Sequence, residues 1–153
     1  MNYKIVELEG KQVEGIAIKT SNQSKTVRQE IGQTWQTFFT EGLADKIKGK
    51  VNTKTIGLYT DYASDYTGTY QFIAGVEVNA KTTSLPNTVI KTIPKGKYAK
   101  FIAHGDIQKS VGELWAQIWK MDLDRTYTGD FEEYQNNSTD PQNQEIHVYI
   151  AIK

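Results

Sequence analysis

KTVRQEIGQTW (residues 25–35) and KSVGELWAQIW (residues 109–119) are two versions of one segment. Lys, Ser/Thr, Val and the closing Trp coincide, and apolar residues fall at helical spacing in both. In the first, Val27, Ile31, Trp35 and Phe38 make one stripe; in the second, Val111, Leu114, Trp115 and Ile118 do the same. The spacing predicts two amphipathic helices, with Thr26 and Ser110 as N-caps able to accept a bond from an early backbone N–H.

The flanks correspond as well. VEGIAIKT (13–20) precedes the first helix and KYAKFIAHG (97–105) the second, both short and apolar-rich. TIGLYTDY (55–62) and YQFIAGVEV (70–78) follow the first; YTGDFEEY (127–134) and EIHVYIAIK (145–153) follow the second. Each half reads strand, helix, strand, strand. One such unit has a sheet with one face covered by a single helix and cannot close a core, whereas two joined through their sheets can. The fold class predicted is α+β: a single domain over 1–153, with antiparallel sheets, a helix per module and a pseudo-repeat of 1–80 and 95–153. The connector NAKTTSLPNTVIKTIPKG holds two of the three prolines and is expected to cross the surface, with a short extended piece near Thr88–Ile93.

Composition excludes several classes of function. With 18 basic and 18 acidic residues and no polybasic block, there is no electrostatic footprint for phosphate backbones or anionic lipid. No direct nucleic-acid binding is expected, and no membrane partner. Cysteine is absent, which removes disulfides, thiolate nucleophiles and cysteine metal sites together. The N-terminus is charged and alternating, unlike a signal peptide, and no apolar run approaches the ~18 residues of a membrane span. These features predict a cytoplasmic protein.

Most catalytic motifs are missing: no G-x-S-x-G, P-loop, G-x-G-x-x-G after a strand, or H-E-x-x-H. No cofactor is expected. The two histidines, His104 and His147, fall on predicted strands; ordinary hydrogen-bonded rings explain them better than a metal site. The segment Asp122–Glu133 begins D-x-D and ends in Glu like a calcium loop, but Tyr127 stands where the glycine of the sharp turn is needed. Asp122 and Asp124 read instead as solvated connectors.

Aromatic residues carry more information. Nine Tyr, five Phe and three Trp are present, several on predicted strands beside carboxylates: Tyr59 and Asp61, Tyr98, Phe131 and Glu132, Tyr134, Tyr149. Rings provide apolar area and cation–π attraction, and a carboxylate supplies counter-charge, so such a face suits an amphipathic or cationic organic ligand. Rings that merely fill a core explain the pattern equally well. By period two, Phe131 and Glu133 face one side of their strand and Asp130, Glu132 and Tyr134 the other, with one of the two glutamates expected in solvent.

The duplicated unit, the F-E-x-Y element at Phe131–Tyr134 and the closing strand VYIAI (148–152) together resemble the GyrI-like family. That group includes the effector-binding domains of AraC-type and multidrug-responsive transcription activators. The resemblance implies two modules around a central cleft that takes up hydrophobic, often cationic, small molecules. It places the acidic ligand partner at Glu132, with Tyr134 on the same strand face and Tyr149 as the aromatic of the closing strand. Ala151 stands where that family's motif has proline. Tyr59 occupies the equivalent strand of the first module, and Trp35 and Trp119 either cap the cleft or pack beneath it; Tyr98 completes the expected ligand-binding set. The regulatory members carry a DNA-binding domain ahead of this module, and the sequence reads as a stand-alone effector-binding protein linked to transcription only indirectly. Two alternatives remain open. In one, Glu132 acts as a general base in a hydrolase of small reactive compounds; in the other, the chain has a protein-interaction role of the gyrase-inhibitor kind.

Overall fold

The element order is β1 (Lys4–Leu8), β2 (Lys11–Ser21), α1 (Val27–Thr40), α2 (Leu43–Lys46), β3 (Thr55–Thr60), β4 (Thr69–Val78), β5 (Val89–Ile93), β6 (Gly96–Gly105), α3 (Ile107–Lys120), β7 (Asp130–Tyr134) and β8 (Gln144–Ile152). The structure is a computed structural model describing residues 3–153, without the side chains of residues 107 and 108. Both expected strand–helix–strand–strand units are present, as β2–α1–β3–β4 and β6–α3–β7–β8, with the small helix α2 added in the first. The fold is α+β, as the sequence predicts.

All eight strands join one antiparallel sheet in the order β1-β6-β8-β7-β3-β4-β2-β5. The two modules meet at the β3–β7 pairing, with Gly57 opposite Glu132 and Leu58 opposite Phe131. The leading strands exchange sides: β1, which precedes the first module, pairs with β6 of the second, and β5, which precedes the second, pairs with β2 of the first. The sequence showed neither exchange; it gave only the strand β5 itself, as the extended piece near Thr88–Ile93.

That exchange forces the sheet to curl. In a flat sheet β1 and β2 would lie six strand spacings apart, roughly 29 Å at ~4.8 Å each. Only Glu9 and Gly10 connect them, and three Cα–Cα steps reach about 11 Å at most. Pro94 and Lys95 impose the same closure between β5 and β6. The inside of the curl is filled by Val13, Ile56, Leu58, Ile73, Ile93, Tyr98, Phe131 and Tyr149. Each such side chain stabilises the fold by about 1.5–3 kcal/mol when fully withdrawn from water.

The outer face carries the helices. α1 packs Phe38 against Tyr70, Phe72 and Ala74 of β4, and α3 packs Leu114, Trp115 and Ile118 against β6 and β8. The start of α3 differs from the sequence expectation. Asp106, not Ser110, caps α3 and accepts from the Lys109 backbone N–H at 3.1 Å; a carboxylate suits the positive end of the helix better than a hydroxyl. Ser110 lies in the first turn and donates to the His104 carbonyl. Thr26 does hold the N-cap position of α1, but its hydroxyl donates to the Glu30 carboxylate at 2.7 Å.

Candidate functional site

Over the β3–β7 seam neither helix covers the sheet, and a cavity of about 740 Å³ opens between α1 and α3. Its walls are equivalent faces of the two repeats: Val27, Arg28, Ile31, Gly32 and Trp35 from α1, and Val111, Gly112, Trp115, Ala116 and Trp119 from α3. Part of each apolar stripe therefore lines a cavity instead of a core. The small residues at matching positions, Gly32 and Ala116, leave the gap open.

Glu132 forms the floor. Its side chain is 2 % exposed and accepts from three neutral donors: Trp115 Nε1 at 2.7 Å, Tyr59 Oη at 3.2 Å and Tyr134 Oη at 3.1 Å. No Lys, Arg or His forms an ion pair with it among the described residues. Burial pushes its pKa above the ordinary carboxylate value, against the lowering effect of those three bonds. Burial and the nearby Glu132 charge raise the phenol pKa values of Tyr59 and Tyr134 well above normal, so both remain neutral donors.

Asp130 is the instructive contrast. It lies two residues earlier on the same face of β7 and is completely buried. It receives the Arg125 guanidinium at 2.7 Å, the Tyr62 hydroxyl at 2.6 Å and the Ala151 backbone N–H at 2.8 Å. One buried carboxylate is thus neutralised internally and its neighbour is not.

Glu132, Tyr134, Tyr59, Trp35 and Trp119 come together around this cavity. Trp35 stands edge-on to Tyr134, with ring centroids 5.3 Å apart, and Trp119 sits half-exposed beyond Trp115. Tyr98 and Tyr149 do not join them. Tyr149 pairs in register with Phe131 and stacks on its ring at 4.6 Å, on the inner face of the curl. Tyr98 lies on that inner face too, donating to the Pro94 carbonyl.

Asp61 also differs from expectation: it leaves the strand at positive φ and pairs with Lys91 at the surface. Neither glutamate of β7 faces solvent, since Glu133 is buried beside Lys54, Gln135 and His147. The two histidines share the Glu145 carboxylate, His147 Nε2 at 2.5 Å and His104 Nε2 at 3.9 Å. No group of three or more potential metal ligands is found among the described residues. Trp115, which donates the shortest bond to Glu132, was read from sequence only as part of the helical stripe. The Arg125–Asp130 pair gave no sequence signal.

A curled duplicated sheet with an acid-floored aromatic cleft between its two helices defines an effector-binding scaffold of the GyrI-like kind. The chain belongs to the family of integron-associated effector-binding proteins, whose profile it matches over residues 4–152. It is 31% identical over 155 residues to YobU of Bacillus subtilis (strain 168), named as a transcriptional regulator protein, covering 97% of this chain and 96% of that one. An integron cassette protein from the mobile metagenome of Vibrio cholerae has a similar structure, with TM-score 0.78 and 30% identity over 99% of this chain and 95% of that one. SAV2435, solved bound to tetraphenylphosphonium, superposes with TM-score 0.82 over 100% of this chain and 94% of that one; at 19% identity the likeness speaks for the fold. No helix among the described residues is long and apolar enough to cross a membrane.

Proposed function

We propose that this protein captures lipophilic organic cations in the cleft between α1 and α3, with Glu132 as counter-charge. The observation that carries this reading is the Glu132 carboxylate: buried, bonded only to neutral donors, and facing an aromatic cavity of about 740 Å³. That volume lies within the usual range for small-molecule sites. An uncompensated buried carboxylate costs several kcal/mol, and a cation entering over Tyr59, Tyr134, Trp35 and Trp115 relieves that cost and gains cation–π attraction. The tetraphenylphosphonium bound to SAV2435 is a ligand of this chemistry on the same fold. The role supported is sensing or sequestering such a ligand.

Titration with tetraphenylphosphonium and with triphenylphosphine oxide, a neutral compound of similar rings, tests the reading. Glu132→Gln should weaken the cation at least about tenfold, equivalent to ~1.4 kcal/mol, and leave the neutral compound nearly unchanged. Equal losses for both, or no binding of the cation to the unaltered protein, would overturn it.

A further inference from the structure

Three charged side chains line the cleft: Glu132, Arg125 and Arg28. Arg125 is neutralised by Asp130 at 2.7 Å. Glu132 and Arg28 are left as an acid and a base of opposite sign, neither of which forms an ion pair among the described residues. They lie at different depths. Glu132 is the buried floor, whereas Arg28 is exposed in the first turn of α1. The equivalent of Arg28 in the second repeat is Gly112, and the two meet across the cleft. A Cβ on Gly112 would stand 3.8 Å from Arg28 Nη2, so the guanidinium reaches from α1 to the backbone of α3. A long side chain at position 112 would compete for that space, and glycine leaves it to the arginine. The repeat is broken at this pair, and a positive charge spans the entrance to a cleft whose floor is negative. That charge opposes the entry of a simple cation, yet it offers two parallel N–H donors to a carboxylate.

We propose that Arg28 forms an anion subsite at the cleft mouth, so that the preferred ligand is zwitterionic: a lipophilic cation with a carboxylate on an arm reaching towards solvent. The charges of such a ligand run opposite to those of the cleft, positive end against Glu132 and negative end against Arg28. Because Arg28 is exposed, the carboxylate stays partly hydrated there and bears little of the desolvation cost of a buried ion pair. The spacing follows from α3. Trp115, which donates to Glu132, and Gly112, which the guanidinium approaches, are one helical turn apart, about 5 Å along the axis. The carboxylate should therefore be carried at least that far from the cationic centre. The subsite rests on the cation-binding reading, since Glu132 must take the other end of the same ligand.

The test is calorimetric titration at neutral pH with carboxybutyltriphenylphosphonium and with its methyl ester, which keeps the arm but removes its charge. Arg28→Gln should lower the acid-to-ester affinity ratio about threefold to fivefold, the scale of one exposed ion pair. Arg28→Glu should lower it further, and Arg28→Lys, which keeps the charge, should retain most of it. The ester carries only the positive charge, so it should bind Arg28→Gln at least as tightly as the unaltered protein, which also reports that the variant is folded. Raising the salt concentration should shrink the difference between the unaltered protein and Arg28→Gln. A ratio that stays constant across Arg28→Gln and Arg28→Glu overturns the subsite, as does a difference that salt leaves untouched. Failure of the ester to bind the unaltered protein, or its indifference to Glu132→Gln, would instead sink the cation-binding reading.

Discussion

Gly57 stands opposite Glu132 in the β3–β7 ladder, and a Cβ there would lie 2.9 Å from Glu132 Oε1 and 3.1 Å from the Phe72 ring. The missing side chain is the space in which the carboxylate rests. Gly57→Ala should keep the fold but displace the carboxylate from its donors, weakening tetraphenylphosphonium several-fold in a fluorescence titration. The raised pKa of Glu132 sets a pH dependence as well. A folded-state carboxylate pKa above the unfolded value means that the folded form holds the proton more tightly. Its contribution to stability is then fully present below the unfolded pKa and is lost as pH rises through the folded one. Glu132→Gln should therefore raise the thermal midpoint relative to the unaltered protein at neutral pH, with the advantage shrinking in acid. Affinity for a permanent cation should fall as the medium is acidified through that same pKa, with proton release on binding visible as a buffer-dependent heat. Strand parity made Glu132 and Tyr134 legible from sequence as neighbours on one face. Tyr149 was not legible, because its face depends on its register with Phe131, a pairing that no local pattern encodes.

At the level of elements, the two helices do different work along their length. Phe38, Leu114 and Ile118 anchor them to the sheet, while Gly32 and Ala116 hold the cleft open. A Cβ at Gly32 would meet nothing within 4 Å. Gly32→Ala should stabilise the protein by roughly 0.5–1 kcal/mol through helix propensity, read as a rise in the denaturation midpoint. Ala116→Phe should block tetraphenylphosphonium with little change in stability. Gly15 and Gly75 are the opposite case. They face each other across β2 and β4, and a Cβ on Gly15 would sit 2.1 Å from the Ala74 carbonyl oxygen. Gly15→Ala should cost about 1–3 kcal/mol or more. Helical periodicity disclosed both long helices. The sequence placed Thr26 at the N-cap of α1 but Ser110 instead of Asp106 at that of α3, because Asp106 and Ser110 are both good capping residues and only the three-dimensional start selects between them.

Across the whole molecule, each module leans on a strand from ahead of the other. Chains split between Val78 and Val89 should remain largely unfolded when expressed apart and recover native circular dichroism when mixed. Two independently folded halves would contradict the exchange of β1 and β5. The duplicated order of elements was legible because each module repeats its own local pattern. The exchange was not: β1 has no helix or hairpin partner in sequence, and its pairing with β6 spans more than half the chain. The short tethers at Glu9–Gly10 and Pro94–Lys95 also fix the order in which the protein comes into being. As the chain emerges from the ribosome, β1 must wait, unpaired, until β6 has been synthesised. A nascent chain interrupted anywhere before that point presents an open edge to chaperones and proteases, and the cleft is born only with its last strands.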